Sequence, residues 1–198
     1  AKAAGPETIL CHDGTLTFAR GLKVVAEAAR RAAQEHRVAW KIVGDVFGAD
    51  KAWLEAFVTK HGLERTIVCT GWLPYAEVGR AIAPCHVGLI GFLPSPNHEI
   101  AAPNKCFNYL LYGLPIVGPD FPRSHFAVLA REGCALLADS TSPEAYAAAI
   151  GRMIADRDGA ARMAAAARRL SETKYRWEHM EPLLFDAYRR LFAEKGAR

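Results

Sequence analysis

The chain has 198 residues, of which 51% are apolar and 23% charged, a composition that excludes intrinsic disorder and collagen-like structure and lets one domain bury roughly 70% of its unfolded surface. No apolar run approaches the ~18 residues of a membrane span, and nothing near Ala1 reads as a signal peptide. The net charge of +4 is unevenly placed: residues 1–150 carry 14 basic and 14 acidic side chains, whereas residues 151–198 carry 11 basic and 7 acidic. A basic last quarter is read either as solvated helix faces or as a surface for an anionic membrane or an acidic partner. Nucleic acid is not expected, because no one-sided basic stripe with interleaved aromatics occurs.

The elements alternate from the start. Short runs rich in Ile, Val and Leu at Thr8 to Cys11, Trp40 to Val43, Thr66 to Cys69, Val87 to Ile90, Pro115 to Val117 and Ala135 to Ala138 read as buried parallel strands. Helical spacing falls between them: Leu22, Val25, Ala26 and Ala29, then Trp53, Leu54, Phe57 and Val58 behind Asp50 as a cap, then Val78, Ala81 and Ile82 after Pro74. The alternation predicts an α/β domain, a doubly wound Rossmann-like sheet of about six parallel strands. After the last strand only helices follow. Ser142-Pro143-Glu144 opens one that runs to Ala155, an alanine-rich one spans Asp158 to Leu170, and a final one runs from about Glu178 to Glu194 with Leu184, Tyr188, Leu191 and Phe192 as an apolar stripe.

Five cysteines form no CxxC pair and no zinc-like spacing. Cys11, Cys69 and Cys134 lie inside apolar stretches, where a free thiol behaves as a small core hydrophobe, and the set suits a reducing cytosol. The first residue is Ala1 rather than methionine, which fits a processed chain or one cut from something longer.

Ligands of open α/β sheets bind beyond the carboxyl ends of the strands, so the residues following each strand are the candidates. These are His12-Asp13-Gly14-Thr15 with Arg20-Gly21, then Gly44-Asp45, then Thr70-Gly71-Trp72, then Gly91-Phe92. Glycines at four successive strand ends allow close backbone approach to a ligand, although ordinary βα turns account for each singly. The irregular stretch Phe92 to Pro103 enters a helix at Asn104-Lys105. A helix N-terminus in the strand-end crevice is an anion site in principle, and a lysine in the first turn, unfavourable to the helix dipole, makes sense beside a bound anion.

The run Pro103 to Pro122, PNKCFNYLLYGLPIVGPDFP, resembles the donor-side motif of the GT-B-fold glycosyltransferases of the large retaining group 1 family, P-x-K-x-F-E-Y-x-x-x-G-x-P-V-I. Other landmarks fall in order: Gly14 to Gly21 like G-R-L-x-x-x-K-G, Lys41 to Asp45 (KIVGD), Val68 to Pro74 (VCTGWLP), Val87 to Phe92 (VGLIGF), and a tail at Ser142 to Ile150 and Tyr175 to Glu178. The resemblance covers nearly the whole chain but only the C-terminal half of such an enzyme.

It implies transfer of a glycosyl group from a nucleotide-diphosphate sugar to an acceptor hydroxyl with retention, without metal or cofactor. It also implies residues 1–176 as the nucleotide-sugar-binding domain and residues 177–198 as a helix packing toward an N-terminal acceptor domain, in a cytoplasmic enzyme that in many members works at a membrane surface. The family's phosphate-binding arginine and lysine correspond to Thr15 and Arg20, its ribose-binding glutamate to Asn108, and that glutamate's partner eight residues earlier to Ile100, with Glu99 one position out of register. The base would be read by the backbone of Thr70, Gly71 and Trp72, near Gly14, Gly44 and Asp45. The departing diphosphate would rest on Asn104 at the helix N-terminus, Arg20 and Lys105. His98 and Glu99 are the candidate catalytic residues, contacting the donor sugar. The departures at Thr15, Ile100 and Asn108 keep two alternatives open: a noncatalytic nucleotide-binding domain and a sugar-nucleotide epimerase of the same fold.

Overall fold

The structure, a computed structural model, describes residues 7–196. Six strands, β1 (Thr8–Asp13), β2 (Val38–Val43), β3 (Ile67–Cys69), β4 (Val87–Leu89), β5 (Ile116–Pro119) and β6 (Ala135–Ala138), form one sheet in the order β3-β2-β1-β4-β5-β6, and every pair is parallel. The expected doubly wound sheet is therefore present. The chain order reverses direction at β1, so the crevice outside the carboxyl ends of β1 and β4 is the topological switch point.

The helices are α1 (Leu22–Glu35), α2 (Gly48–His61), α3 (Tyr75–Ile82), α4 (Asn104–Leu111), α5 (His125–Arg131), α6 (Pro143–Ala155), α7 (Arg157–Thr173) and α8 (Trp177–Gly196). They cover both faces, and alternation along the strands assigns residues to each. Leu10, Ile42, Leu89 and Val117 pack with α1 and α6 through Val25, Tyr146 and Ile150. Cys11, Val43, Ile90 and Ile116 pack on the other face with Tyr109 and Leu110 of α4 and Ala167 and Leu170 of α7. Strands buried on both faces are why the sequence shows continuous apolar runs.

Four local expectations are corrected. Strand β1 continues through His12 and Asp13, because six consecutive residues pair with β2 from Thr8↔Val38 to Asp13↔Val43, so these two polar residues belong to the strand rather than to the loop after it. The same pairing starts β2 at Val38, two residues earlier than expected. Asp50 does not cap α2, which starts at Gly48; its carboxylate instead accepts a hydrogen bond from the Phe18 N–H at 2.9 Å, tying the β1–α1 loop down. Cys69 is exposed, unlike Cys11 and Cys134, because β3 is an edge strand and only three residues long. Ser142 caps α6 as expected, accepting from the Ala145 N–H at 3.1 Å, and Pro74 immediately precedes α3.

The apolar stripe of α8 is uncovered: Leu184, Tyr188, Leu191 and Phe192 are all exposed. Among the described residues, no helix is long and apolar enough to cross a membrane.

Candidate functional site

The site is organised by Tyr109. Its ring, fully buried on α4, lies over Gly88 of β4 so closely that a Cβ there would meet the ring at 2.4 Å. The Tyr109 hydroxyl accepts the Asp13 N–H at 2.8 Å and donates to the Cys11 carbonyl at 3.1 Å. Helix α4 is thereby pinned across the end of β1, and the residues one turn and one position before Tyr109 land on the last two residues of that strand. Lys105 Nζ lies 3.0 Å from His12 Nε2, and the Asn108 side-chain amide donates to Asp13 Oδ2 at 2.6 Å.

His12 is fully buried. Burial, and then the charge of Lys105, hold it well below the ordinary histidine range, so it is the neutral ring whose Nε2 lone pair accepts from the lysine ammonium. Its Nδ1 faces the Thr15 backbone without a well-formed hydrogen bond. Lys105 is 7% exposed; burial lowers it from 10.5 to about 8, the nearby Asp13 charge opposes this, and the Arg20 charge adds to it. At neutral pH it is a cation, yet none of the ion pairs among the described residues includes it. A buried ammonium held by a neutral imidazole and over the Phe92 ring, with the Asp13 carboxylate near but forming no ion pair with it and a guanidinium close enough to be felt, is an incompletely compensated positive centre.

The loop from β1 to α1 closes on itself beside this centre. Gly14 N–H donates to the Val43 carbonyl and Leu16 N–H to the Asp45 carbonyl, while Arg20 Nη1 donates to the Thr15 carbonyl at 2.9 Å, leaving the rest of its guanidinium without a partner among the described residues. Two glycines make the closure feasible: a Cβ on Gly44 would lie 2.5 Å from the Gly14 carbonyl oxygen, and one on Gly21, at φ 79°, would lie 1.7 Å from that of Gly91.

Of the sequence candidates, Gly14, Thr15, Gly44, Asp45 and Trp72 line one pocket of about 200 Å³. Thr70 and Gly71 border it at the end of β3. The Thr70 N–H is committed to the Ile42 carbonyl, and its hydroxyl meets the Gly44 N–H at 3.3 Å and the Gly71 carbonyl at 2.9 Å. Asn104 begins α4 with no side-chain cap. Because the Cys106 N–H returns to the Pro103 carbonyl, the free amides of this terminus are those of Asn104 and Lys105.

His98 and Glu99 stand apart, on the single 3₁₀ turn His98–Ile100. The His98 ring stacks on Phe92 with centroids 4.3 Å apart, and its Nδ1 bonds the Leu93 carbonyl at 2.8 Å. Glu99 lines a second, larger cleft of about 750 Å³ beyond β5 and β6, with Ile100, Asp120, Arg123, Asp139 and Ser140. Three carboxylates against one guanidinium give that cleft the wrong charge for a diphosphate; the smaller pocket is itself lined by Asp13 and Asp45, so the positive charge of this end of the sheet is carried by Lys105 and Arg20 rather than by the lining of either pocket.

Sequence reasoning placed His12 and Asp13 among the residues after the first strand but gave them no role, and it missed Phe47. The signal was present in the first two, a titratable pair closing an otherwise apolar central strand. Phe47, which precedes α2 and lines the small pocket, shows only as a large apolar residue left 61% exposed.

Residues 7–156 match the sequence model of the family described as glycosyl transferases group 1. The chain belongs to this family. Comparison with curated proteins returned no match. Among solved structures, the C-terminal domain of a glycosyl transferase group 1 family protein, LpcC, from Francisella tularensis superposes with a TM-score of 0.74 at 15% identity, covering 86% of this chain and 87% of that one. Sucrose-phosphate synthase from Thermosynechococcus elongatus gives 0.76 at 20% identity over 94% of this chain, and Anabaena HepE in complex with UDP-glucose gives 0.78 at 18% over 93%. This chain spans 46% and 49% of the last two, about half their length. It has the α/β Rossmann-like architecture of the group 1 family's C-terminal domain, which is the glycosyltransferase unit that the motif at Pro103 to Pro122 resembles.

Proposed function

We propose that this domain binds a nucleotide-diphosphate sugar and, within a longer chain carrying an N-terminal acceptor domain, transfers the glycosyl group to an acceptor hydroxyl with retention. The observation that carries the reading is the buried, unpaired Lys105 beside Arg20 at the start of α4. A diphosphate supplies the missing anion, and the free amides of Asn104 and Lys105 add their dipoles to it. For retention the acceptor oxygen approaches the anomeric carbon on the face from which the diphosphate departs: the new C–O bond forms as the bond from that carbon to the diphosphate breaks, the hydroxyl proton passes to the departing phosphate oxygen, and the negative charge developing on the diphosphate is what Lys105, Arg20 and the helix N-terminus stabilise. This cationic arrangement takes the place a metal would otherwise fill. The base lies against Gly14, Thr15, Gly44, Asp45 and Trp72, within reach of Thr70 and Gly71, and the ribose lies toward Asn108. The transferred sugar lies toward the loop carrying His98 and Glu99.

HepE was solved with UDP and with UDP-glucose, which supports a nucleotide-sugar as the ligand class. The uncovered stripe of α8 supports its packing against the N-terminal domain, a nonpolar contact that leaves the basic groups of residues 151–198 for an anionic membrane surface. A thermal-shift panel of UDP, GDP, ADP and their sugars tests the reading: a ligand at a hundred times its dissociation constant stabilises by about 2.7 kcal/mol, and no shift from any of them refutes it. The departures at Thr15, Ile100 and Asn108 favour a second reading, a noncatalytic nucleotide-binding domain. Glycosyl transfer by the full-length chain, abolished by Arg20→Ala, excludes it.

A further inference from the structure

Asp13 is nine-tenths buried and fixed from two sides. Its N–H donates to the Tyr109 hydroxyl and its Oδ2 accepts from Asn108, so both backbone and side chain are immobilised. The other carboxylate oxygen, Oδ1, meets no hydrogen-bond partner among the described residues, although Asp13 lines the pocket of about 200 Å³ together with Gly14, Gly44, Phe47 and Trp72. A carboxylate is an acceptor only, and an oxygen left free at the wall of an open pocket is available to a donor that enters it. The fold itself does not provide that donor.

The walls of the pocket say what brings it. Phe47 and Trp72 are 61% and 75% exposed, two large aromatic surfaces at a concave site lined with glycine backbone, and aromatic faces of this kind stack on nucleobases. Vicinal hydroxyls next to a stacked base are donors, and a strand-end carboxylate that accepts from ribose is a recurrent device of doubly wound sheets. Phosphate is repelled by Asp13 and attracted to Lys105 and Arg20, so the carboxylate also sets direction, with the ribose at Asp13 and the phosphates toward the cations.

We propose that Asp13, positioned by Asn108 and Tyr109, accepts hydrogen bonds from the ribose hydroxyls of the nucleotide and makes this chain selective for ribonucleotides. The inference rests on the nucleotide-sugar reading and refines it: one N–H of the Asn108 amide is committed to Asp13, which makes Asn108 a positioning residue and presents the ribose with the charged acceptor beside it.

Calorimetric titration of this chain with UDP, GDP and ADP, each against its 2′,3′-dideoxy counterpart, separates the two ideas. The wild-type chain should prefer the ribose form about tenfold, the size of a hydrogen bond to a charged group. Asp13→Asn, which keeps the shape and still accepts from Asn108 through its amide oxygen, should lower affinity for the ribose form about tenfold and leave the dideoxy form unchanged. Failure of every nucleotide to bind overturns the reading on which the inference rests. Binding without ribose preference in the wild-type chain, or an equal loss for both forms in Asp13→Asn, overturns the role of Asp13 and leaves nucleotide binding standing; the wild-type comparison decides even if the variant does not fold.

Discussion

Replacing Lys105 with methionine should make the unliganded domain more stable. The perturbation removes an ammonium buried beside a neutral histidine while keeping most of the side-chain volume. Lowering the lysine from 10.5 to about 8 corresponds to about 3 kcal/mol of penalty on its charged form in the folded state. Losing the hydrogen bond to His12 returns about 1 kcal/mol of that, so Lys105→Met should gain about 2 kcal/mol at pH 7. For a domain of this length that is roughly 4–8 °C in Tm. The sign in pH follows from the direction of the shift: between about pH 8 and pH 10.5 the unfolded chain holds the proton that the folded chain has lost, so wild-type stability from this residue rises with pH across that window. The advantage of Lys105→Met should therefore be full below pH 8 and shrink above it. Urea unfolding followed by circular dichroism at pH 7 and pH 9.5 reads both effects. A variant less stable than wild type at pH 7, or an advantage that does not shrink at pH 9.5, would refute the assignment of Lys105 as a buried cation whose burial costs more than His12 and Asp13 return.

Lys105→Ala should weaken nucleoside diphosphates about tenfold or more while barely touching nucleosides, and equal losses in a titration of both would remove its phosphate role. Trp72→Ala should cost about 1–3 kcal/mol of nucleoside affinity through lost stacking, with inorganic pyrophosphate unaffected; unchanged nucleoside binding would place the base elsewhere. Tyr109→Phe leaves the Asp13 N–H and the Cys11 carbonyl without their hydroxyl partner and should destabilise by about 1–3 kcal/mol. Chemical unfolding showing no loss would mean that α4 is held to β1 by packing alone.

The strands were legible because burial on both faces leaves unbroken Ile, Val and Leu runs, and the helices because their apolar positions repeat at helical spacing. What escaped was decided by pairing rather than by local composition. His12 and Asp13 are polar and so read as loop, yet six pairs with β2 carry the strand through them. Cys69 reads as core in its apolar triplet, and only its place on an edge strand exposes it. The site divides the same way. Glycine-bearing strand ends and the start of α4 are local signals and marked Gly14, Gly44, Thr70 and Lys105. The Asp13–Asn108 bond joins residues 95 positions apart, which no local pattern encodes.

The pinning of α4 by Tyr109 also fixes when the site can exist. Its cations come from the two sides of the reversal in strand order, Arg20 from the loop after β1 and Lys105 from the helix after β4, and no segment of the chain shorter than about half its length contains both with their supports. A nascent chain that has completed only β1 to β3 has Arg20 but not Lys105, however well its half of the sheet is formed. On the proposed reading, nucleotide binding would report long-range closure: a ligand held by both groups would stabilise the junction of the two halves of the sheet, and protection from hydrogen exchange on adding nucleotide should spread through β1 and β4 together rather than stay in the loops that touch it.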